Sequence, residues 1–347
     1  MNKVLSCDVD SYTTGEQILF AAKSFLIDRI IPNVEKVILP PVTKPAGRVN
    51  FKITDSKVKL TYTAGGTINK LKLRFSDSLS IDDVYTVDFR VHSPENWSHA
   101  LNLHLPFALK IKSFFGEFNE SIQLLFIFPS ETPNYIRAIF ELFEINSIYE
   151  SRPVYARCIE IDKHDWEHIQ TGRSVWMEQF VSASDISKEI LQEITKDARL
   201  PKRIFLARRK TRHILNEDEV FEVLEEKGFK KVYPEDLSPV DQIRLFMNAE
   251  TVVAIHGAGL APLIFAKGGC LKVIEIFSPG HMSEHFRTIC YLNGVDWVGV
   301  RGVIEAKHVK LAYQNIKRFT KYSLDGFYVE TESVKAALDY MGVAENN

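Results

Sequence analysis

The chain has no excess of charge of either sign: 43 Lys and Arg stand against 45 Asp and Glu, a formal net charge of −2. A broad positive field for nucleic acid is therefore absent, and any anion site has to be a local cluster. Cysteine is also scarce. The four (Cys7, Cys158, Cys270, Cys290) are scattered, with no CxxC pair and no Cys/His ligand spacing. That pattern argues against a metal framework and for reduced thiols in a reducing compartment. Long apolar runs are missing too. The longest, residues 252–266, is broken by His256 and glycines and cannot span a bilayer. The first residues lack an apolar core of signal-peptide length. Internal repeats and low-complexity tracts are absent. Together these absences point to a cytoplasmic chain with no nucleic-acid partner, free to touch the inner face of a membrane as a peripheral protein.

What is present is ordinary globular sequence, 45% hydrophobic and 25% charged. A length of 347 residues exceeds what one core commonly serves and predicts two domains. The most regular stretch runs from Pro201 to Phe277. It reads as a strand (Lys202–Ala207), a basic loop (Arg208, Arg209, Lys210, Arg212), a helix opening at Asn216, and a short strand near Lys231–Tyr233. A helix from Pro239, a buried strand at Thr251–Ile255, the turn His256-Gly257-Ala258-Gly259, a short helix and a strand at Leu271–Phe277 follow. Strands alternating with helices of this length predict an α/β fold with a parallel sheet covered on both faces. Asn216 with Glu219 fits a capping box, Gly228 a helix stop, and Ser238-Pro239 an N-cap. A helix at 283–292 and a strand at 295–300 complete the pattern.

The first half is less regular. Apolar residues at helical spacing predict a helix over Gly15–Ile31. Alternation around Gly65-Gly66 predicts a hairpin within residues 51–75. A strand at 84–91, a helix from His99, a strand at 122–128, a helix at 133–143 and a strand at 154–161 follow, and a helix over Ser184–Lys196 leads into the second half. The expected domains are 1–185, 186–306 and a helical tail, 307–347, packed back toward the first domain.

Ligands of such sheets sit at the carboxyl ends of the strands, and the residues expected there suit a phosphate-bearing ligand. His256, Gly257, Ala258, Gly259 and Leu260 join a strand to a helix. Glycines let the backbone approach a ligand, and free amides at a helix start face an anion. Arg208, Arg209 and Arg212 offer guanidinium forks that grip phosphate. Glu275, near a strand end, suits ribose hydroxyls. His99, after Asn96-Trp97-Ser98, is placed to take a proton from a hydroxyl. Asp8-Val9-Asp10 resembles a metal-holding DxD, but no buried strand precedes it, so no metal is expected.

In order and pattern these residues resemble glycosyltransferase family 61. The resemblance runs through Arg203-Ile-Phe-Leu-Ala-Arg-Arg209, Ile214-Leu-Asn-Glu-Asp-Glu219 and Tyr233-Pro-Glu-Asp-Leu-Ser238, then Gln242-Ile-Arg-Leu-Phe246, His256-Gly-Ala-Gly-Leu260 and Val273-Ile-Glu-Ile276. Asn96-Trp-Ser-His99 ahead of Leu105-Pro106 is similar to the family's Asn-x-x-His. Ala261-Pro262 departs from the family, which commonly has Asn in that position. The resemblance implies a GT-B architecture, two Rossmann-like domains facing across a cleft. It implies inverting transfer from a nucleotide sugar, with UDP the expected nucleotide and no bound cofactor or metal. The acceptor would be a glycan or lipid-linked glycan, in capsule or lipopolysaccharide synthesis. His99 would be the base, with Arg208, Arg209, Arg212, Asn216, His256, Gly257, Ala258, Gly259, Leu260 and Glu275 on the donor. Two other readings stay open: a non-catalytic saccharide-binding or scaffold protein, and an NAD-dependent oxidoreductase. The second is disfavoured because Pro262 stands where the dinucleotide fingerprint has its third glycine.

Overall fold

The computed structural model describes residues 2–22, 34–62, 77–118, 122–183, 190, 194, 200–266, 269, 271–305 and 322–344. In chain order the strands are β1 (Asn2–Val9), β2 (Tyr12–Thr13), β3 (Gln17–Ala22), β4 (Val34–Leu39), β5 (Thr43–Lys44), β6 (Gly47–Leu60), β7 (Leu79–Asp88) and β8 (Leu124–Phe128). They continue as β9 (Ser147–Tyr149), β10 (Val154–Ile161), β11 (Arg203–Leu206), β12 (Lys230–Val232), β13 (Thr251–Ile255), β14 (Lys272–Phe277) and β15 (Asp296–Arg301). The helices are α1 (Leu105–Phe118), α2 (Asn134–Leu142), α3 (Trp166–Ala183), α4 (Glu217–Glu226), α5 (Pro239–Asn248), α6 (His285–Leu292) and α7 (Thr331–Tyr340). The fold is α/β with mixed parallel and antiparallel sheets.

Packing divides the chain into two units, Met1–Tyr12 with Thr43–Glu193, and Thr13–Val42 with Ile194–Asn347. This corrects the expectation that residues 1–185 form one domain. It also corrects the helix expected over Gly15–Ile31. Residues 17–22 form strand β3, which lies parallel to β15 with Ile18 opposite Val298 and Phe20 opposite Val300. Leu19 and Phe20 point into different cores. A strand covered on both faces shows no alternation, so its apolar run is easily mistaken for helical spacing. The rest of that expected helix, residues 23–31, lies outside the described residues.

In the first unit the sheet order is β1-β6-β10-β7-β8-β9, antiparallel from β1 to β10 and parallel from β10 to β9. Because β10 lies between β6 and β7, β6 pairs with β1 and β10. The Gly65-Gly66 turn lies outside the described residues. Helix α1 buries Phe107 against Phe51 and Phe89, with ring centroids 6.2 and 5.7 Å apart. Burial of one such side chain contributes about 1.5–3 kcal/mol.

In the second unit the order is β12-β11-β13-β14-β15-β3-β4, parallel from β12 to β3. Val253, Ile255, Ile274 and Ile276 face a core completed by Val220 and Leu224 of α4 and by Val334, Ala337 and Leu338 of α7. Val252, Ala254, Val273 and Phe277 face the opposite core, with Leu245, Phe246, Leu260, Phe286 and Ile289. Helix α7 therefore closes the second unit's own sheet. Residues 306–321 lie outside the described part, as does the Ser184–Lys196 helix apart from Ile190 and Ile194. Strand order reverses between β11 and β13, so chain leaving these strands diverges to opposite sides and opens a crevice at their carboxyl ends.

Helix boundaries follow local chemistry in two of three cases. Ser238 Oγ accepts from the Asp241 amide at 3.1 Å, and Gly228 takes the left-handed conformation that stops α4. The capping box at Asn216 does not form. Its Oδ1 accepts from the Val329 amide at 3.0 Å and its Nδ2 donates to the Val329 carbonyl at 2.9 Å. Nδ2 also donates to Glu219 Oε2 at 3.1 Å, so the two side chains meet, but no bond runs from the Asn216 side chain to a helix backbone amide.

Candidate active site

The crevice at the β11 and β13 ends holds a cavity of about 360 Å³, lined by Ala207, Arg208, Lys210, Thr211, Pro234, Glu235, Ile255 and Gly259 among others. Two guanidinium groups converge beside it. Arg208 Nη1 donates to the His256 carbonyl at 3.0 Å, and Arg212 Nη1 donates to the same oxygen at 3.2 Å. Arg208 Nη2 also reaches Thr211 Oγ1 at 3.2 Å. Neither arginine forms an ion pair among the described residues, and Arg212 Nε is enclosed without a partner. Burial pushes Arg208 down to about 10, helped by the neighbouring Arg212 charge, and burial lowers Arg212 as well. Two half-buried like charges meet on one carbonyl with no carboxylate bonded to either; Glu235, on the same cavity wall, acts on Arg208 only at a distance and opposes its lowering, an arrangement suited to an anion.

The backbone makes room for this arrangement. Gly257 has φ 153°, and a Cβ there would stand 2.0 Å from Arg208 Nη1. Only glycine allows the arginine to lie over the strand end. The turn leads into a 3-10 helix, Ala258–Phe265. At Gly259 a Cβ would approach Pro234 Cγ to 3.1 Å, which narrows the same cavity.

Arg209 also lines the cavity, but it lies against Asp236 with a forked pair of 2.6 and 2.5 Å and stacks on Tyr233 at 3.9 Å, so its fork is occupied. Three other expected donor residues are elsewhere. Asn216 is held by Glu219 and Val329, as described. The Leu260 side chain belongs to the core, and its amide donates to the Gly257 carbonyl at 3.0 Å. Glu275 is fully buried. Its Oε1 accepts from His256 Nδ1 at 2.5 Å and its Oε2 accepts from Trp297 Nε1 at 2.8 Å. A carboxylate sealed below the rim cannot meet ribose. The acid on the cavity wall is Glu235, which sequence reasoning passed over because it reads as one more charge in a polar turn. Ala258 is half-exposed.

The first unit holds His99. Asn96 caps the helical turn Trp97–His99 by accepting from the amides of Ser98 at 2.9 Å and His99 at 3.3 Å. The preceding His92 and Ser93 both have positive φ, 55° and 49°, a conformation costing about 1–3 kcal/mol per residue. This turn aims the His92 carbonyl at the ring, and His99 Nδ1 donates to it at 2.8 Å. Nε2 of the exposed His99 then carries the lone pair and has no hydrogen-bond partner among the described residues. A π-helical turn, Ala100–His104, follows. His104 is fully buried beside it and held down to about 3 by that burial, so it stays neutral. Strained φ values and π-turns concentrate at functional sites. His92 and His104 carried no sequence signal, since neither strain nor depth shows in residue type.

Residues 119–273 match the family described as Glycosyltransferase 61. The match covers somewhat less than half of the chain and spans both packing units. Arg208, Arg212, His256, Gly257 and Glu235 all fall inside it, while His99 and Glu275 fall outside. The family 61 match bears out the resemblance drawn from the motifs, and no curated protein matches the chain. Among the described residues no helix is long and apolar enough to cross a membrane.

Proposed function

We propose that the protein is an inverting transferase of GT-B architecture that moves a sugar from a nucleotide sugar, with UDP the first nucleotide to test, to a hydroxyl of a glycan. The observation that carries the reading is the pair Arg208 and Arg212 at the crevice between β11 and β13, in no ion pair among the described residues and backed by Gly257. Guanidinium groups and main-chain amides there would stabilise the leaving diphosphate, a type of electrostatic effect worth about 3–4 kcal/mol per well-placed donor. Glu235 would meet the ribose hydroxyls across the cavity. His99, with Nδ1–H held by the His92 carbonyl, would accept the acceptor's proton on Nε2. The division into two α/β units supports the GT-B assignment. A glycan acceptor of the capsule or lipopolysaccharide class is proposed on the family relationship alone.

The test is turnover of a nucleotide-sugar panel, UDP-sugars first, against cell-derived glycan acceptors. Arg208→Ala and His99→Ala are expected to lower kcat/KM at least about a hundredfold. Near-native rates in both variants end the scheme, and tight nucleoside diphosphate binding without any transfer moves the protein to the binding-protein class. Activity is expected to persist in excess EDTA. Loss restored by Mn²⁺ would bring back Asp8, whose carboxylate accepts from Arg48 at 2.7 Å, together with Asp10.

A further inference from the structure

The sealed Glu275 is used by neither the fold's apolar core nor the donor contacts above. A carboxylate taken fully out of water is costly unless its oxygens are matched by donors. Here they are matched by one imidazole and one indole, His256 Nδ1–H and Trp297 Nε1–H. Trp297 comes from β15, the neighbour of β14, where Trp297 stands opposite Val273 and Gly299 stands opposite Glu275. Gly299 leaves space for this: a Cβ there would meet the Trp297 ring at 2.9 Å.

His256 is held at each of its polar handles. Its amide donates to the Ile276 carbonyl at 2.8 Å, its carbonyl accepts from both arginines, and its Nδ1 is committed to Glu275. Phe277 and Phe286 flank the ring at 5.2 and 5.6 Å. The one unused atom is Nε2, which has no hydrogen-bond partner among the described residues. It belongs to the residue on which Arg208 and Arg212 converge.

We propose that Glu275 and Trp297 are positioning residues: they hold Nδ1–H of His256 and so fix the ring, which in its doubly protonated form presents Nε2–H to the departing diphosphate. The inference rests on the donor-site reading above. In the step, the acceptor oxygen bonds to the anomeric carbon and the bond from that carbon to the β-phosphoryl oxygen breaks. The electron pair stays on that oxygen, and the Nε2 proton of charged His256 passes to it. The ring is left neutral with its Nδ1–H still donated to Glu275, and solvent restores the second proton. Other ionisable groups face this cluster. His281, with its ring 5.0 Å from His256, is held down to about 4 by burial and by the His256 and Arg212 charges, so it is neutral near pH 7. Arg287 donates to Gln17 Oε1 and the Pro40 carbonyl. The Cys290 thiol is raised by burial and stays neutral. Arg208 and Arg212 keep their charge throughout.

Glu275→Gln tests the assignment. A glutamine has one oxygen for two donors, so His256 Nδ1–H and Trp297 Nε1–H compete for it. The readouts are the ¹⁵N spectrum of His256 and calorimetric binding of inorganic pyrophosphate at about pH 7, near where histidine titrates. Expected are a fall in the Nδ1-protonated population of His256 and about tenfold weaker pyrophosphate binding, one charge-assisted contact being lost. Trp297→Phe, which keeps the ring and removes the indole donor, is expected to shift the His256 resonances with a smaller loss of affinity. This second variant keeps the test open if Glu275→Gln does not fold. Unchanged His256 resonances in a folded variant, with pyrophosphate bound as in the native protein, overturn the inference alone. Failure of the native protein to bind pyrophosphate or any nucleoside diphosphate overturns the donor-site reading, and this inference with it.

Discussion

Replacing Gly257 with alanine is the sharpest small perturbation of the anion site. The new Cβ would stand 2.0 Å from Arg208 Nη1, and the backbone holds φ at 153°. Two costs follow. Holding an alanine in that region costs about 1–3 kcal/mol, which lowers Tm by roughly 2–4 °C per kcal/mol for a protein of this size. The guanidinium must also swing away from the His256 carbonyl, because the side chain is the softer party. An arginine moved off the rim forfeits a charge-assisted contact to phosphate, about 1.5–3 kcal/mol, or roughly a 10- to 150-fold loss of affinity. Pyrophosphate binding by calorimetry and thermal unfolding read the two effects separately. Gly116→Ala supplies the control, since a Cβ there meets nothing within 4 Å. In a helix interior that change is expected to stabilise by about 0.5–1 kcal/mol and to leave binding unchanged. Native pyrophosphate affinity in Gly257→Ala, with the expected fall in Tm, would refute the claim that Arg208 grips the anion.

Two further outcomes are expected. Glu235→Gln should reduce the preference for a ribonucleoside diphosphate over its 2′-deoxy form while pyrophosphate affinity holds or rises; an unchanged preference removes Glu235 from the ribose. His104, held down to about 3 by burial against an ordinary value of 6.5, is neutral in the fold and gains its proton on unfolding. Over that window the unfolded chain binds more protons, so stability is complete above about pH 6.5 and falls as pH drops toward 3, by up to about 1.4 kcal/mol per pH unit. Urea unfolding of His104→Phe between about pH 4 and pH 6.5 should show a shallower slope, and an identical slope would contradict a neutral buried imidazole.

Much of the second unit was legible in the residues alone. Ser238 and Gly228 mark helix ends through bonds that span three or four residues, and such bonds form wherever the local sequence allows them. The runs Thr251–Ile255 and Lys272–Phe277 announce strands covered on both faces. Arginines and glycines placed just after β11 and β13 mark the strand ends as the place for the proposed anion site before any contact is known.

Other features needed the folded chain. Whether Glu275 meets solvent or lies beneath it depends on Trp297 and α6, which arrive from later in the chain to cover that face. Alternation along β14 assigns Glu275 a side of the sheet but says nothing of what roofs it. Residues 17–22 became a strand because β15 offered them an open edge, a partner 280 positions away. Asn216 holds both Glu219 of its own helix and the backbone of Val329, 113 positions away. Short-range chemistry is written in neighbouring residues, whereas burial and long-range pairing are decided by which surfaces meet.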